Sequence, residues 1–250
     1  PRLVRGAAGA YPFSLGVASG SPRPVGGVLW TRLAPDPLAG GGMPKGPAMV
    51  RWRIAADEGM RRVLREGLQE TDESVAHAVH VSLGGLEPAS DYFYQFHVGE
   101  DDSPVGRLRT AGAEADTARL AVVACQHYET GRWAGFRDLA SWAPDCVIHV
   151  GDYVYEGGAS PLGARTRGAL TYEIVRQHQG EEIRSLWDYR NRYALYRMDP
   201  ALQAAHAASP WIVAFDDHEL DNNWAADVPQ DPWAQTPAEF ALRKQAALDL

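Results

Sequence analysis

Cys146-Val147-Ile148-His149-Val150-Gly151-Asp152-Tyr153-Val154-Tyr155-Glu156 is an apolar run that breaks at a glycine, then delivers a carboxylate and, three residues later, a phenol. Runs of this kind belong to buried strands covered on both faces. In open α/β sheets such strands present ligands at their carboxyl ends. Gly151-Asp152 alone also fits a buried strand followed by a polar turn. Two companions give it weight: the run 120–124 ends in Cys125, and the run 211–215 ends in Asp216-Asp217-His218-Glu219. Each apolar run therefore ends in a residue able to bind metal.

Between the first two runs, residues 132–142 set Trp133, Phe136, Leu139 and Ala140 on one helical face. Strand, helix and strand imply a parallel pair with a right-handed crossover, which brings Cys125 and Asp152 to one sheet edge. Cys146 then begins its strand where Cys125 ends the other, about five residues away at ~3.3 Å each. That exceeds the Cα limit of roughly 7 Å for a disulfide. Cys125 is expected as a free thiolate at the edge, and Cys146 as a small core residue. His149, an odd number of residues before Asp152, is expected on the opposite face as a core histidine.

Upstream, residues 11 to 110 read as all-β, with strands expected at 13–18, 27–32, 49–55, 61–69, 77–83, 91–98 and 105–110. Val50-Arg51-Trp52-Arg53-Ile54 and Tyr92-Phe93-Tyr94-Gln95-Phe96-His97-Val98 alternate strictly, as in a sheet with one wet face. This implies an N-terminal β-sandwich of immunoglobulin or fibronectin III type over residues 11–112. The linker 111–117 is small and polar, and an α/β domain follows over 118–250. After the decisive strand, 157–170 reads as a loop, with helices expected at 171–178, 186–197, 201–208 and 237–250. Arg190, Arg192, Tyr193, Tyr196 and Arg197 make the second of these basic and aromatic, read mainly as a solvated helix with aromatic packing. No closing strand follows the last helix, so the α/β domain is expected to be incomplete, its remainder lying on another piece of chain.

With 250 residues there is room for two domains. A net charge of −8 argues against a sequence-independent grip on nucleic acid. An acidic protein that handles phosphate needs cations or a local arginine cluster. No apolar run approaches the ~18 residues of a membrane span.

Carboxylate with phenolate suits a hard trivalent ion such as iron(III), and carboxylate and amide oxygens suit calcium, magnesium or manganese. Ions bridged by Asp152 would clamp a phosphoryl group and make hydroxide available near neutral pH. His218, flanked by acids, is the candidate general acid for the leaving alkoxide.

Gly151-Asp152-Tyr153-Val154-Tyr155 resembles the Gly-Asp-x-x-Tyr block of metallophosphoesterases. Ala124-Cys125-Gln126, Val150 to Glu156, Asp188 to Tyr196, Ala204-Ala205-His206-Ala207-Ala208 and Phe215-Asp216-Asp217-His218-Glu219 together resemble the PhoD-like alkaline phosphatases. The strands ahead of them resemble that family's N-terminal domain, and Leu86-Glu87-Pro88-Ala89-Ser90-Asp91-Tyr92 resembles the corner of fibronectin type III modules. The resemblance implies metal-dependent hydrolysis of small-molecule, lipid or polymer phosphate esters by a metal-bound hydroxide, with Fe3+ and Ca2+ as cofactors. It implies that Cys125, Asp152 and Tyr155 hold the iron, that Asp217 holds the second metal, and that His218 lies beside substrate. Export to the periplasm or the extracellular space follows from the same resemblance and agrees with a first residue other than Met. Two other readings compete: a non-enzymatic binding module with a degenerate metallophosphoesterase-like domain, and a carbohydrate-active enzyme using Asp152 and Glu156 as its acid pair.

Overall fold

The structure, a computed structural model, describes residues 10–112 and 117–250; residues 113–116 of the expected linker lie outside them. Its N-terminal strands are β1 (Val17–Arg23), β2 (Gly26–Arg32), β3 (Ala48–Ala55), β4 (Val63–Thr71), β5 (Ala78–Leu83), β6 (Asp91–Val98), β7 (Asp101–Asp102) and β8 (Gly106–Arg109). There follow β9 (Leu120–Val123), α1 (Ala134–Trp142), β10 (Cys146–His149), β11 (Gly163–Arg167), β12 (Leu170–Ile174), α2 (Leu186–Arg197), α3 (Pro200–Ala208), β13 (Pro210–Val213) and α4 (Pro237–Leu248).

The alternation in the sequence does what period-2 patterns do. Along β6, Tyr92, Tyr94, Phe96 and Val98 are buried while their neighbours are not, and they pack with Val50 and Ile54 of β3 and Leu29, Val79 and Val81 of β2 and β5. β4, β3, β6 and β7 form one sheet, with β8 also paired to β6; a six-stranded sheet runs β5-β2-β1-β13-β10-β9, and β11 and β12 pair by themselves. Strands β1, β2 and β5 thus share a sheet with β9, β10 and β13, the three apolar runs. β1 pairs in parallel with β13, Ser19 opposite Pro210 and Gly20 opposite Trp211.

The chain divides into two compact units that each draw on separated segments. The first takes the residues up to Ala121, Ala134–Ile148 and Arg197–Ile212; the second takes Val122–Trp133, His149–Tyr196 and Val213–Leu250. In the first unit Arg197 is buried, its Nη2 donating to the carbonyls of Leu15 and Val17 at 3.1 Å each. In the second, Ile183, Tyr189, Leu220, Phe240 and Ala247 form a core, and the guanidinium of Arg243 beside it is ion-paired to Glu182 at 2.6 Å.

Three expectations need correction. The first strand begins at Val17, because residues 13–16 form a turn in which Gly16 (φ 68°) donates to Phe13 O at 3.0 Å. The segment 171–178 is not a helix: Leu170–Ile174 pairs antiparallel with Gly163–Arg167 inside the expected loop, register Arg167 to Leu170. Gly168 takes φ 61° at the tip, and Thr171, Tyr172 and Ile174 are strand formers. The solvated reading of α2 holds only for part of it, since Tyr189, Arg192, Tyr196 and Arg197 are buried.

One position tests the sandwich packing directly. A Cβ on Gly106 would lie 2.3 Å from Cζ of the buried Tyr94. Gly106→Ala should therefore destabilise the protein by about 2 kcal/mol through overpacking, measurable as a lowered denaturant midpoint. An unchanged midpoint would contradict this packing.

Candidate metal centre

Backbone hydrogen bonds advance together along β9 and β10: Asp145 N to Arg119 O at 2.8 Å, then Val150 N to Val123 O at 2.9 Å, then Cys125 N to Gly151 O at 3.2 Å. This is the pattern of parallel strands, and it sets Cys125 and Asp152 at neighbouring strand ends. Both take left-handed backbone (φ 53° and 57°), as does Gly151 between strand and carboxylate (φ 110°). Non-glycine residues in that region are uncommon and cluster at functional sites. Both cysteines are free, Cys125 exposed and Cys146 buried, as their spacing requires. His149 is fully buried, and burial pushes its pKa down to about 4.

Past β13 the chain makes a single 3-10 turn, Asp217–Glu219, closed by a capping box. The Glu219 carboxylate accepts from Asp216 N at 2.7 Å, and also from Asp152 N at 3.1 Å and from Tyr153 N. A buried carboxylate that collects several backbone donors ties two segments together, here the one carrying Asp152 to the one carrying Asp217 and His218. Burial nonetheless holds the Glu219 pKa above its ordinary value.

Asp152, Asp217 and His218 each bring a ligand atom to within 4.8 Å of the others. Tyr155 Oη donates to Asp152 Oδ2 at 2.9 Å, Cys125 N donates to Gly151 O beside them at 3.2 Å, and the Cys125 thiol is near enough to Asp152 and Tyr155 for both to shift its pKa. All five residues singled out from the sequence are thereby brought into one neighbourhood. Glu156, four residues after Asp152, completes it: its Oε2 lies 2.8 Å from His218 Nδ1, and its Oε1 accepts from Asn222 N at 2.8 Å. Burial alone would raise the Glu156 pKa, but the His218 hydrogen bond and charge outweigh it and the net shift is downward. Burial would lower His218, and the same pairing outweighs it, so the imidazole is held above its usual value. Glu156 is thus committed to His218, which argues against its use as the acid of a pair with Asp152.

The donor set fits a cation. Asp152 is buried, and its Oδ1 has no hydrogen-bond donor from the protein. An uncompensated buried carboxylate oxygen is costly. Desolvation and the adjoining Asp152 push both the Cys125 thiol and the Tyr155 phenol up, so neither is an anion among these side chains alone. A positive charge amid thiol, phenol and carboxylate reverses all of these preferences at once, since metals deprotonate coordinating thiols outright.

Sequence reasoning passed over Glu219 and treated Glu156 only as half of an acid pair. The spacing Asp216-x-x-Glu219 is a capping-box signal and could have identified the first. Nothing in the spacing of Glu156 and His218 announces their pairing, which depends on tertiary structure.

The model of the PhoD-like phosphatase family matches residues 120–249, and the model of that family's N-terminal domain matches residues 3–112. Alkaline phosphatase D of Bacillus subtilis (strain 168) is 46% identical over 241 residues, which is 95% of this chain and 40% of that protein. A solved structure of PhoD superposes with a TM-score of 0.90 at 45% identity, covering 98% of this chain and 46% of the other. The chain therefore spans less than half the length of both relatives. On the match of both family models, together covering most of its length, the chain belongs to the PhoD-like phosphatase family.

Proposed function

We propose that this chain carries part of the active centre of a metal-dependent phosphoric ester hydrolase, of metallophosphoesterase type, with Cys125, Asp152 and Tyr155 holding iron(III) and Asp217 holding calcium or another divalent ion. The observation that carries the reading is the convergence of Asp152, Asp217 and His218, with one buried oxygen of Asp152 left without a hydrogen-bond partner. When bound, the ions supply Lewis acidity toward phosphoryl oxygens and acidify water. The chain's own residues do the rest. Asp152 keeps Oδ1 without a hydrogen-bond partner, and Tyr155 is aligned on its Oδ2 by a hydrogen bond. Glu156 engages His218 Nδ1, fixing the ring and leaving Nε2 for the leaving-group oxygen. We read the N-terminal strands as a fibronectin-like positioning module, supported by Tyr92, whose hydroxyl accepts from Glu87 N at 2.9 Å across the corner. Export from the cytoplasm belongs to the same reading, and fractionation of the producing cells checks it.

Metal analysis of the full-length protein tests the assignment. Iron should be present with a visible charge-transfer band, and Tyr155→Phe should abolish that band. A band and an iron content unchanged by Tyr155→Phe would refute the ligand assignment.

The role of His218 is separable. A positioned acid contributes about 10²–10⁴-fold, most with poor leaving groups. His218→Asn should slow alkyl phosphates far more than aryl phosphates, at unchanged metal content. Equal slowing of both, with metal lost, would make His218 a ligand instead.

A further inference from the structure

One motif finds no role in the chemistry so far: Asp188-Tyr189-Arg190-Asn191-Arg192-Tyr193-Ala194-Leu195-Tyr196, which forms most of α2. Arg192 and Tyr196 lie one turn apart on it, and both are buried. The Tyr196 hydroxyl accepts from Tyr155 N at 3.2 Å and from Tyr128 N at 3.3 Å, and lies 3.0 Å from His178 Nε2. A phenol has one proton and two lone pairs. With both lone pairs taken by backbone N–H groups, the proton goes to His178 Nε2, so His178 is neutral and protonated on Nδ1. The fully buried surroundings agree, since burial, reinforced by the Arg192 charge, pushes the His178 pKa down to about 3. Arg192 Nη1 meanwhile donates to Tyr155 O and, at 2.9 Å, to Gly157 O.

Tyr155 is thereby gripped at both ends of its backbone, its N–H by Tyr196 and its C=O by Arg192. Tyr128, the other residue on the Tyr196 oxygen, stands three positions after Cys125. A single phenolic oxygen therefore joins the loop after Cys125 to the loop after Asp152. We infer that α2 acts as a staple, in which the Tyr196 hydroxyl and the Arg192 guanidinium are positioning residues that set the separation of the Cys125 and Tyr155 donors and so the affinity of the centre for its cation. Neither residue is among those gathered at the centre. This inference rests on the proposed function for its consequence, though not for its geometry.

Tyr196→Phe is the decisive variant, because it keeps the ring against Tyr128 (5.3 Å) and Trp133 (5.4 Å) and removes only the oxygen. In the metal-free, full-length protein, the amides of Tyr128 and Tyr155 should exchange at least tenfold faster than in wild type, with amides of α1 unchanged. In the iron-loaded protein, iron affinity should fall by about 10–100-fold, the range found for residues that orient metal ligands. The charge-transfer band should shift, and kcat should drop more than KM rises. Arg192→Lys, which keeps the charge but loses the planar fork, should weaken iron binding in the same direction, and it carries the test if Tyr196→Phe does not fold. Unchanged exchange at both amides would overturn the staple. Faster exchange with wild-type iron affinity, or wild-type affinity in Arg192→Lys, would overturn its positioning role. If wild type takes up no metal, the functional reading fails instead, and selective loss of protection at the two amides still upholds the staple while its absence overturns it.

Discussion

Asp152→Asn should cut turnover of the full-length protein by about 10³-fold or more while making the metal-free protein more stable. The two effects share one origin. Asp152 is buried with Oδ1 unsatisfied, and its charge acts on Glu219 and Cys125, whose pKa values it helps to raise. Replacing it with a neutral amide of the same shape relieves that repulsion, and asparagine tolerates the left-handed backbone (φ 57°) that the position demands. The gain should be about 1 kcal/mol, since an unpaired amide costs less when buried than an unpaired carboxylate oxygen. The loss follows because the same carboxylate is the candidate bridge between cations, whose several kcal/mol of charge stabilisation correspond to about 10³-fold in rate. Thermal unfolding of metal-free samples and turnover of metal-loaded ones check the two halves. Lower stability in the variant, or turnover within tenfold of wild type, would remove Asp152 from the role given to it.

Gly151→Ala should be nearly as damaging, for a steric reason. Gly151 sits at φ 110°, a conformation closed to L side chains, and an added Cβ would lie 2.3 Å from Asp216 Cβ. Strain and overpacking of ~1–3 kcal/mol each sum to roughly 4 kcal/mol if nothing moves. Relief requires either the Asp152 strand end or the Asp216 segment to shift, and these are the segments Glu219 joins. The expected result is a Tm lowered by about 10 °C, from ~2–4 °C per kcal/mol for a chain of this size, together with loss of metal binding. A variant with wild-type Tm and metal content would show that the glycine is not required there.

The legible parts of this chain were those whose physics is local. β6 was legible with its full bounds because alternation over Tyr92 to Val98 has one structural solution, and α2 was legible as a helix over 186–197. The strand ends at Cys125, Asp152 and Asp217 were legible because apolar runs that stop abruptly must deliver their next residue to an edge. Residues 171–178 were misread because a short segment of Thr, Tyr, Glu and Ile carries no decisive period, and the turn at Gly168 settled it. The burial of Arg192 and Tyr196 was illegible for another reason. Their partners are backbone atoms of Tyr155, Gly157 and Tyr128, and no pattern of side chains records where a distant main chain will pass. The β1–β13 pairing is invisible for the same reason.

That pairing bears on how the molecule is made. Ser19 and Pro210 are neighbours in the sheet, yet a ribosome adding ~5–20 residues per second needs roughly 10–40 seconds to deliver the second after the first. During that interval the edge of β1 that will receive β13 is an unpaired row of donors and acceptors, a template for any other strand. Contacts of such sequence separation also slow the search itself. The nascent chain is therefore exposed to mispairing at β1 until its third apolar run emerges, and a chaperone that shields that edge would protect it over this interval.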